Sequence, residues 1–261
     1  MKTRVLSGLA MLPLLAVIYF GGYWLIGLAF LVSLIGIREF FNGFNAIDVK
    51  PSENIAFGAL FLINAINLMW PNEYIYFMGW FTAVIVACSL YMFKINERKI
   101  EDAMATMLGC FYIIFLVFHV VLVDQTGEYS VLVWLVVITA SCTDIMAYFT
   151  GYLFGKHKLC PNLSPKKTIE GAIGGVLGSV LFAGLFGYFV IPKLLLHCMI
   201  IGLLGSVISQ CGDLVASAYK RKMGIKDYGN LIPGHGGIMD RFDSFLFTAP
   251  LVYYYIIFVL N

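Results

Sequence analysis

The sequence predicts an all-α, polytopic integral membrane protein of about nine transmembrane helices, with its N-terminus cytoplasmic and its C-terminus external. Three observations carry that expectation. Of 261 residues, 61% are hydrophobic and only 12% charged, about half the charged share of a soluble globular protein. Apolar segments recur along the whole chain, near the roughly 20 residues needed to cross a bilayer. The basic residues fall almost entirely in alternate loops. So few polar residues could not cover the surface of a water-soluble fold, and lipid must be the solvent for most of it.

Each span is delimited by a turn or charge signal. The first, 5–20, stops at Gly21-Gly22, and the second, 23–41, precedes Pro51 and Ser52. The third, 54–69, ends at Trp70-Pro71-Asn72, the fourth, 75–93, at Asn96 to Lys99, and the fifth, 104–123, at Gln125 to Glu128. The sixth, 130–153, runs into a long basic loop, the seventh, 171–191, breaks at Ile191-Pro192, and the eighth and ninth cover 194–216 and 242–260. Lys2 and Arg4 precede the first apolar run, but no small-x-small site follows, so signal cleavage is not expected.

With nine spans, one set of loops holds sixteen of the seventeen Lys and Arg residues and the other holds only Lys193. Basic loops stay cytoplasmic, and a missing helix would scramble this bias. The net charge of +2 is too small to point to a nucleic-acid partner. Six cysteines lie singly, mostly in apolar runs and without metal-ligand spacing, and read as small buried residues. The chain divides into 1–123, five scaffold spans with dimer or lipid contacts, and 124–261, four spans whose long cytoplasmic loops 154–170 and 217–241 are the expected seat of chemistry.

Acids inside spans mark function, because an unpaired carboxylate in lipid costs several kcal/mol or more. Asp144 lies mid-span, on a face with Ser141, Tyr148, Gly151 and Gly155. Ser206, Ser209, Gly212, Asp213 and Ser217 form a second polar stripe, and Asp240, Asp243 and Ser244 open the last span. Asp213 and Asp240 emerge on one side of the membrane, where paired carboxylates beside cations suit a Mg²⁺ that clamps nucleotide phosphates. Between them run Lys220-Arg221-Lys222, Lys226-Asp227 and Pro233-Gly234-His235-Gly236-Gly237, then Arg241, a candidate triphosphate cradle of bare backbone and charged donors. In the other loop Ser164 is expected to cap a helix starting at Pro165, placing Lys166, Lys167 and Thr168 at a phosphate-favouring N-terminus. Gly171, Gly174, Gly175 and Gly178 read as a helix-packing face. His119 and His197 read as hydrogen-bonded packing residues, and Arg38-Glu39 as an interfacial ion pair.

The run Ser217-Ala218-Tyr219-Lys220-Arg221, Lys226-Asp227, Gly229, Ile232-Pro233, His235-Gly236-Gly237, Asp240-Arg241-Phe242-Asp243 resembles the hallmark of phosphatidate cytidylyltransferases, also called CDP-diacylglycerol synthases. The stretch from Asp144 through Ser164-Pro165-Lys166-Lys167-Thr168 to Glu170-Gly171 looks like that family as well; Tyr219 stands where an apolar residue is usual. The resemblance implies CTP and phosphatidic acid as substrates, a homodimer in the cell inner membrane, and Mg²⁺ on Asp213 and Asp240, accompanied in some members by K⁺. It implies catalytic roles for Asp213, Lys220, Lys226, Asp227, His235, Asp240 and Arg241, with Asp144, Ser164, Lys166, Lys167, Thr168, Ser217, Arg221, Gly236, Gly237 and Asp243 around the substrates. Two alternatives are CTP-dependent transfer to another lipid, such as an isoprenoid ether lipid or polyprenol, and an ion-coupled transporter with Asp144 and Asp213 on its path.

Overall fold

The computed structural model describes residues 12–71, 73–231 and 236–260. Among these residues there are nine helices: α1 (Leu12–Phe20), α2 (Gly22–Asn45), α3 (Glu53–Met69), α4 (Tyr74–Tyr91), α5 (Ile100–Asp124), α6 (Gly127–Phe154), α7 (Ile169–Val190), α8 (Pro192–Lys222) and α9 (Met239–Leu260). A two-stranded hairpin, β1 (Lys158–Cys160) and β2 (Ser164–Thr168), precedes α7. Six helices, α2 and α5 to α9, are long and apolar enough to cross a membrane, whereas α3 and α4 are apolar but shorter. At 1.5 Å per residue a 17-residue helix such as α3 is about 25 Å long, a little less than the hydrocarbon thickness.

The chain forms two compact units, residues up to Gln125 with Lys222–Arg241, and Thr126–Arg221 with Phe242 onward. In the first, α2 presents Ile37, Phe40 and Phe41 as a fully buried face, and the Phe41 ring occupies the space that a side chain at Gly109 of α5 would need. Trp80 of α4 is completely buried and donates its indole N–H to the Ala59 carbonyl of α3 at 2.7 Å, so its polar end is satisfied inside the apolar packing. The α1–α2 break is held by Asp124, which accepts the Gly22 N–H at 2.7 Å; Gly21 and Gly22 both adopt positive φ there, which explains the glycine pair. Asp102 caps the start of α5 and also accepts the Lys50 N–H at 2.7 Å, tying the α2–α3 loop down. Lys99, just before α5, lies 2.9 Å from Asp48 of that loop and holds the Asp48 carboxyl below the usual carboxylate range.

In the second unit α6 and α7 pack along their length. Gly171, Gly174, Gly175 and Gly178 all lie against α6, where any added Cβ would press on Ala147, Thr150, Thr143 or Met146. The expected helix start at Ser164-Pro165 is replaced by strand β2, antiparallel to β1, with Lys158 opposite Thr168 and Cys160 opposite Ser164. The helix starts four residues later because Thr168 is the better-placed cap: its Oγ1 accepts the Gly171 N–H at 3.1 Å. Pro165, lacking a donor, is tolerated in a strand that has one neighbour only. Glu170 reaches back to the hairpin, accepting the Lys156 and His157 N–H groups and pairing with His157 Nδ1 at 2.6 Å. His197 Nδ1 is 2.9 Å from the Tyr255 hydroxyl and His119 Nδ1 is 2.8 Å from the Phe115 carbonyl, the hydrogen-bonded packing roles expected of both.

Gly175→Leu is expected to overpack the α6–α7 contact, where a Cβ already falls 2.9 Å from the Thr143 carbonyl oxygen. The loss should be about 1–3 kcal/mol, read as a lowered thermal midpoint in detergent; an unchanged midpoint would contradict this packing.

Candidate active site

In the second unit the polar stripes of α6, α8 and α9 converge. Gly212 of α8 has no side chain, and the Asp243 carbonyl lies where a Cβ would come within 2.8 Å, so α8 and α9 meet at backbone distance. Asp243 lies within electrostatic reach of Asp213, Lys220 and Asp144. Asp243 is almost fully buried, and its Oδ1 accepts the Ser244 N–H at 2.8 Å. Ser244 Oγ donates to Asp144 at 3.2 Å, joining the mid-span acid of α6 to the start of α9. Asp213 forms an ion pair with Lys167 of β2, each side chain about 26% exposed. These charges border a cavity of about 540 Å³ lined by Asp144, Tyr148 and Gly151 of α6, Lys158, Lys166, Lys167 and Thr168 of the hairpin, and Gln210 and Asp213 of α8. Gln210 donates to the Ala172 carbonyl at 3.2 Å and Arg221 donates its Nε–H to the Leu163 carbonyl at 3.4 Å, which fixes α8 against the hairpin and α7. Ser217 is half-buried on the same helix.

In the first unit the segment Lys222–Arg241 lies against α2. Met223 fills the space beside Gly43, and the Tyr228 ring packs on Phe40 with centroids 5.9 Å apart. Asp240 closes the loop: its Oδ2 accepts the Tyr228 N–H at 2.9 Å and the Gly237 N–H at 3.0 Å. Gly236 takes a φ of +87°, a conformation in which an L side chain would be strained. Lys226, Asp227 and Arg241 are exposed. His235 lies outside the described residues.

Glu39 was not among the expected site residues. It is 7% exposed and accepts the Ile238 N–H at 3.0 Å and the Met239 N–H at 2.9 Å, the first donors of α9. It does not pair with its neighbour; Arg38 instead lies over the Phe57 ring and 3.9 Å from Glu53. The reason is helical: adjacent residues point about 100° apart, so Arg38 faces outward while Glu39 faces the loop. Gly229 and Gly237 both lie against the Glu39 carboxylate, and a Cβ at Gly229 would come 2.5 Å from Oε1. An acid on the buried face of an apolar helix, beside Gly36 and Gly43, was the signal available in the sequence.

The structure thus brings Asp144, Asp213, Asp243, Lys167 and Lys220 together in one unit and Lys226, Asp227, Gly236, Gly237, Asp240 and Arg241 in the other. Among the described residues no three His, Cys, Asp or Glu side chains converge as a ready ligand set for a metal. Two or three carboxylates with a lysine ammonium already resting on one of them nevertheless suit Mg²⁺, which takes few protein oxygens and completes its shell with water and substrate phosphate.

The sequence profile of the cytidylyltransferase family matches residues 2–259. The chain is similar to proteins named phosphatidate cytidylyltransferase from Staphylococcus haemolyticus and Staphylococcus epidermidis, each at 35% identity, and from Staphylococcus aureus at 33%. In each case 97% of both chains is covered.

Thr168→Val removes the oxygen that caps α7 and keeps the side-chain shape. It should cost about 0.5–2 kcal/mol in detergent unfolding, with Thr168→Ser close to the parent; equal stability of Val and parent would exclude the cap.

Proposed function

The chain belongs to the cytidylyltransferase family, and from that premise we propose that it transfers the cytidylyl group of CTP to phosphatidate, giving CDP-diacylglycerol and pyrophosphate. The observation that carries the proposal is the cavity among apolar helices that is lined by Asp144 and Asp213 together with Lys158, Lys166 and Lys167. Such a lining suits a polyphosphate, and a lipid acceptor would approach from the apolar surroundings of the helices.

In the proposed reaction a phosphate oxygen of phosphatidate attacks the α-phosphorus of CTP. The bond from that phosphorus to the bridging α–β oxygen breaks, and its electron pair leaves with pyrophosphate. Phosphatidate is already an anion, so the protein has no strong base to supply; it must bring two anions together and hold them in line. Lys166 and Lys167 would meet the phosphates in the cavity, Lys167 being held in place by Asp213. Lys220 would set its positive charge beside Asp243 and the acids around it. Asp144, orienting through Ser244, and Thr168 would border the acceptor. Lys226 and Asp227, exposed on the segment before α9, and Arg241, exposed in its first turn, are proposed to contact nucleotide phosphates together with His235, as the resemblance implies. The resemblance implies Mg²⁺ on Asp213 and Asp240, which would supply positive charge to the phosphates and to the leaving pyrophosphate; K⁺ is the second cation that the resemblance allows.

We also place the chain in the inner membrane as a homodimer with nine spans, its N-terminus and basic loops on the cytoplasmic side from which CTP arrives. The one-sided distribution of Lys and Arg supports that orientation, and the resemblance supports the dimer.

Purified protein given phosphatidate, CTP labelled in the cytidine and Mg²⁺ should yield labelled CDP-diacylglycerol. Unlabelled lipid across several detergents would sink the proposal, and preference for an ether-lipid phosphate would redirect it. Chelation should abolish turnover and Mg²⁺ restore it. Asp213→Asn and Asp240→Asn should each lower kcat by about 100-fold or more with folded protein retained; near-normal turnover of either would remove that acid from the metal site.

A further inference from the structure

We infer that Glu39 is a positioning residue for catalysis: its buried carboxylate occupies the backbone donors at the start of α9 and sets the place of the segment that carries Lys226, Asp227, Asp240 and Arg241. The functional half of the inference rests on the cytidylyl-transfer reading; the anchoring half does not.

Two N–H groups at a helix start are open donors with no partner inside the helix. They form a ready anion site, and a phosphate could take it. Here the protein's own carboxylate fills it, one oxygen to Ile238 and the other to Met239. The glycine-rich loop is therefore not an open cradle at this point. Its glycines serve a different need: Gly229 and Gly237 must lack side chains for Glu39 to enter, because a Cβ on either would collide with the carboxylate. Gly237 also gives its N–H to Asp240, so the loop is gripped by two carboxylates, one from 199 residues away and one from its own end.

Glu39 is buried, with each carboxylate oxygen on a backbone N–H of the segment it holds. It acts by fixing direction. Since the first turn of α9 carries Asp240 and Arg241, a rotation of that turn by even a fraction of its pitch would misplace both, and misplacement by about 1 Å can lower a rate by about 100-fold.

Glu39→Gln keeps the shape but offers one acceptor oxygen in place of two, and turns an amide N–H₂ toward the second backbone donor. Gly229→Ala presses on the same carboxylate without altering it. Both variants of the full chain, in lipid nanodiscs, would be followed by amide hydrogen exchange and by steady-state kinetics. Exchange over residues 225–241 should quicken by about 10-fold or more while the helices α3, α6 and α7 exchange as in the parent. The kcat should fall at least 10-fold with the KM for phosphatidate unchanged, and the double variant should be little worse than either single one, because both disturb one contact. Unchanged exchange over 225–241 would overturn the anchoring. So would quickening throughout all helices in step with a lower thermal midpoint, which would mark a general loss of stability. Local quickening with parental kcat would overturn the catalytic role. Should the parent itself fail to transfer cytidylyl groups, the exchange result alone decides whether Glu39 anchors the segment.

Discussion

An acidic side chain inside an apolar protein persists only where a cation or a hydrogen-bond donor meets it, and that constraint organises both units. In the second unit Asp213 is answered by Lys167, Asp243 by Lys220 and by the Ser244 N–H, and Asp144 by the Ser244 hydroxyl. In the first, Glu39 and Asp240 are answered by four backbone N–H groups of one loop. With charged residues only 12% of the chain, this concentration of acids and bases is what singles out the site from the rest of an apolar molecule. Anions entering such a place would meet fixed positive groups at low local dielectric, where each is worth more than in water.

Much of the helical framework was legible because hydropathy and turn residues act locally. The apolar segments 54–69 and 75–93 correspond to α3 and α4, and 23–41 to α2, within a few residues. The hairpin was not legible, since Ser164-Pro165 and Thr168 are both sound helix starts on local grounds, and the choice between them depends on the pairing of β2 with β1 and on Glu170 reaching back to His157. Nor did local rules show the π turn Cys110–Phe115 within α5 or its counterpart Ile256–Leu260 at the end of α9.

The site was legible in the same uneven way. Asp144 and Asp213 stood out as acids in apolar runs, and the structure places both at one cavity. Glu39 met the same criterion but was assigned to Arg38 next to it, a pairing that a helix does not make between adjacent residues. Its partners, Ile238 and Met239, are some 200 positions away and contribute only backbone, so no side-chain pattern announces them.

The glycines of the segment illustrate why residue type alone left its role open. A glycine can be needed for a positive φ, for the approach of a ligand, or for the approach of another part of the protein. Gly236 meets the first need, with φ at +87°. Gly229 and Gly237 meet the third, because the atoms that a side chain would displace belong to Glu39. A loop that reads as a phosphate cradle is at these positions a socket for an internal carboxylate. The N–H groups of Gly237, Ile238 and Met239 are already taken by Asp240 and Glu39, so at these positions the segment offers no open backbone donor to an anion.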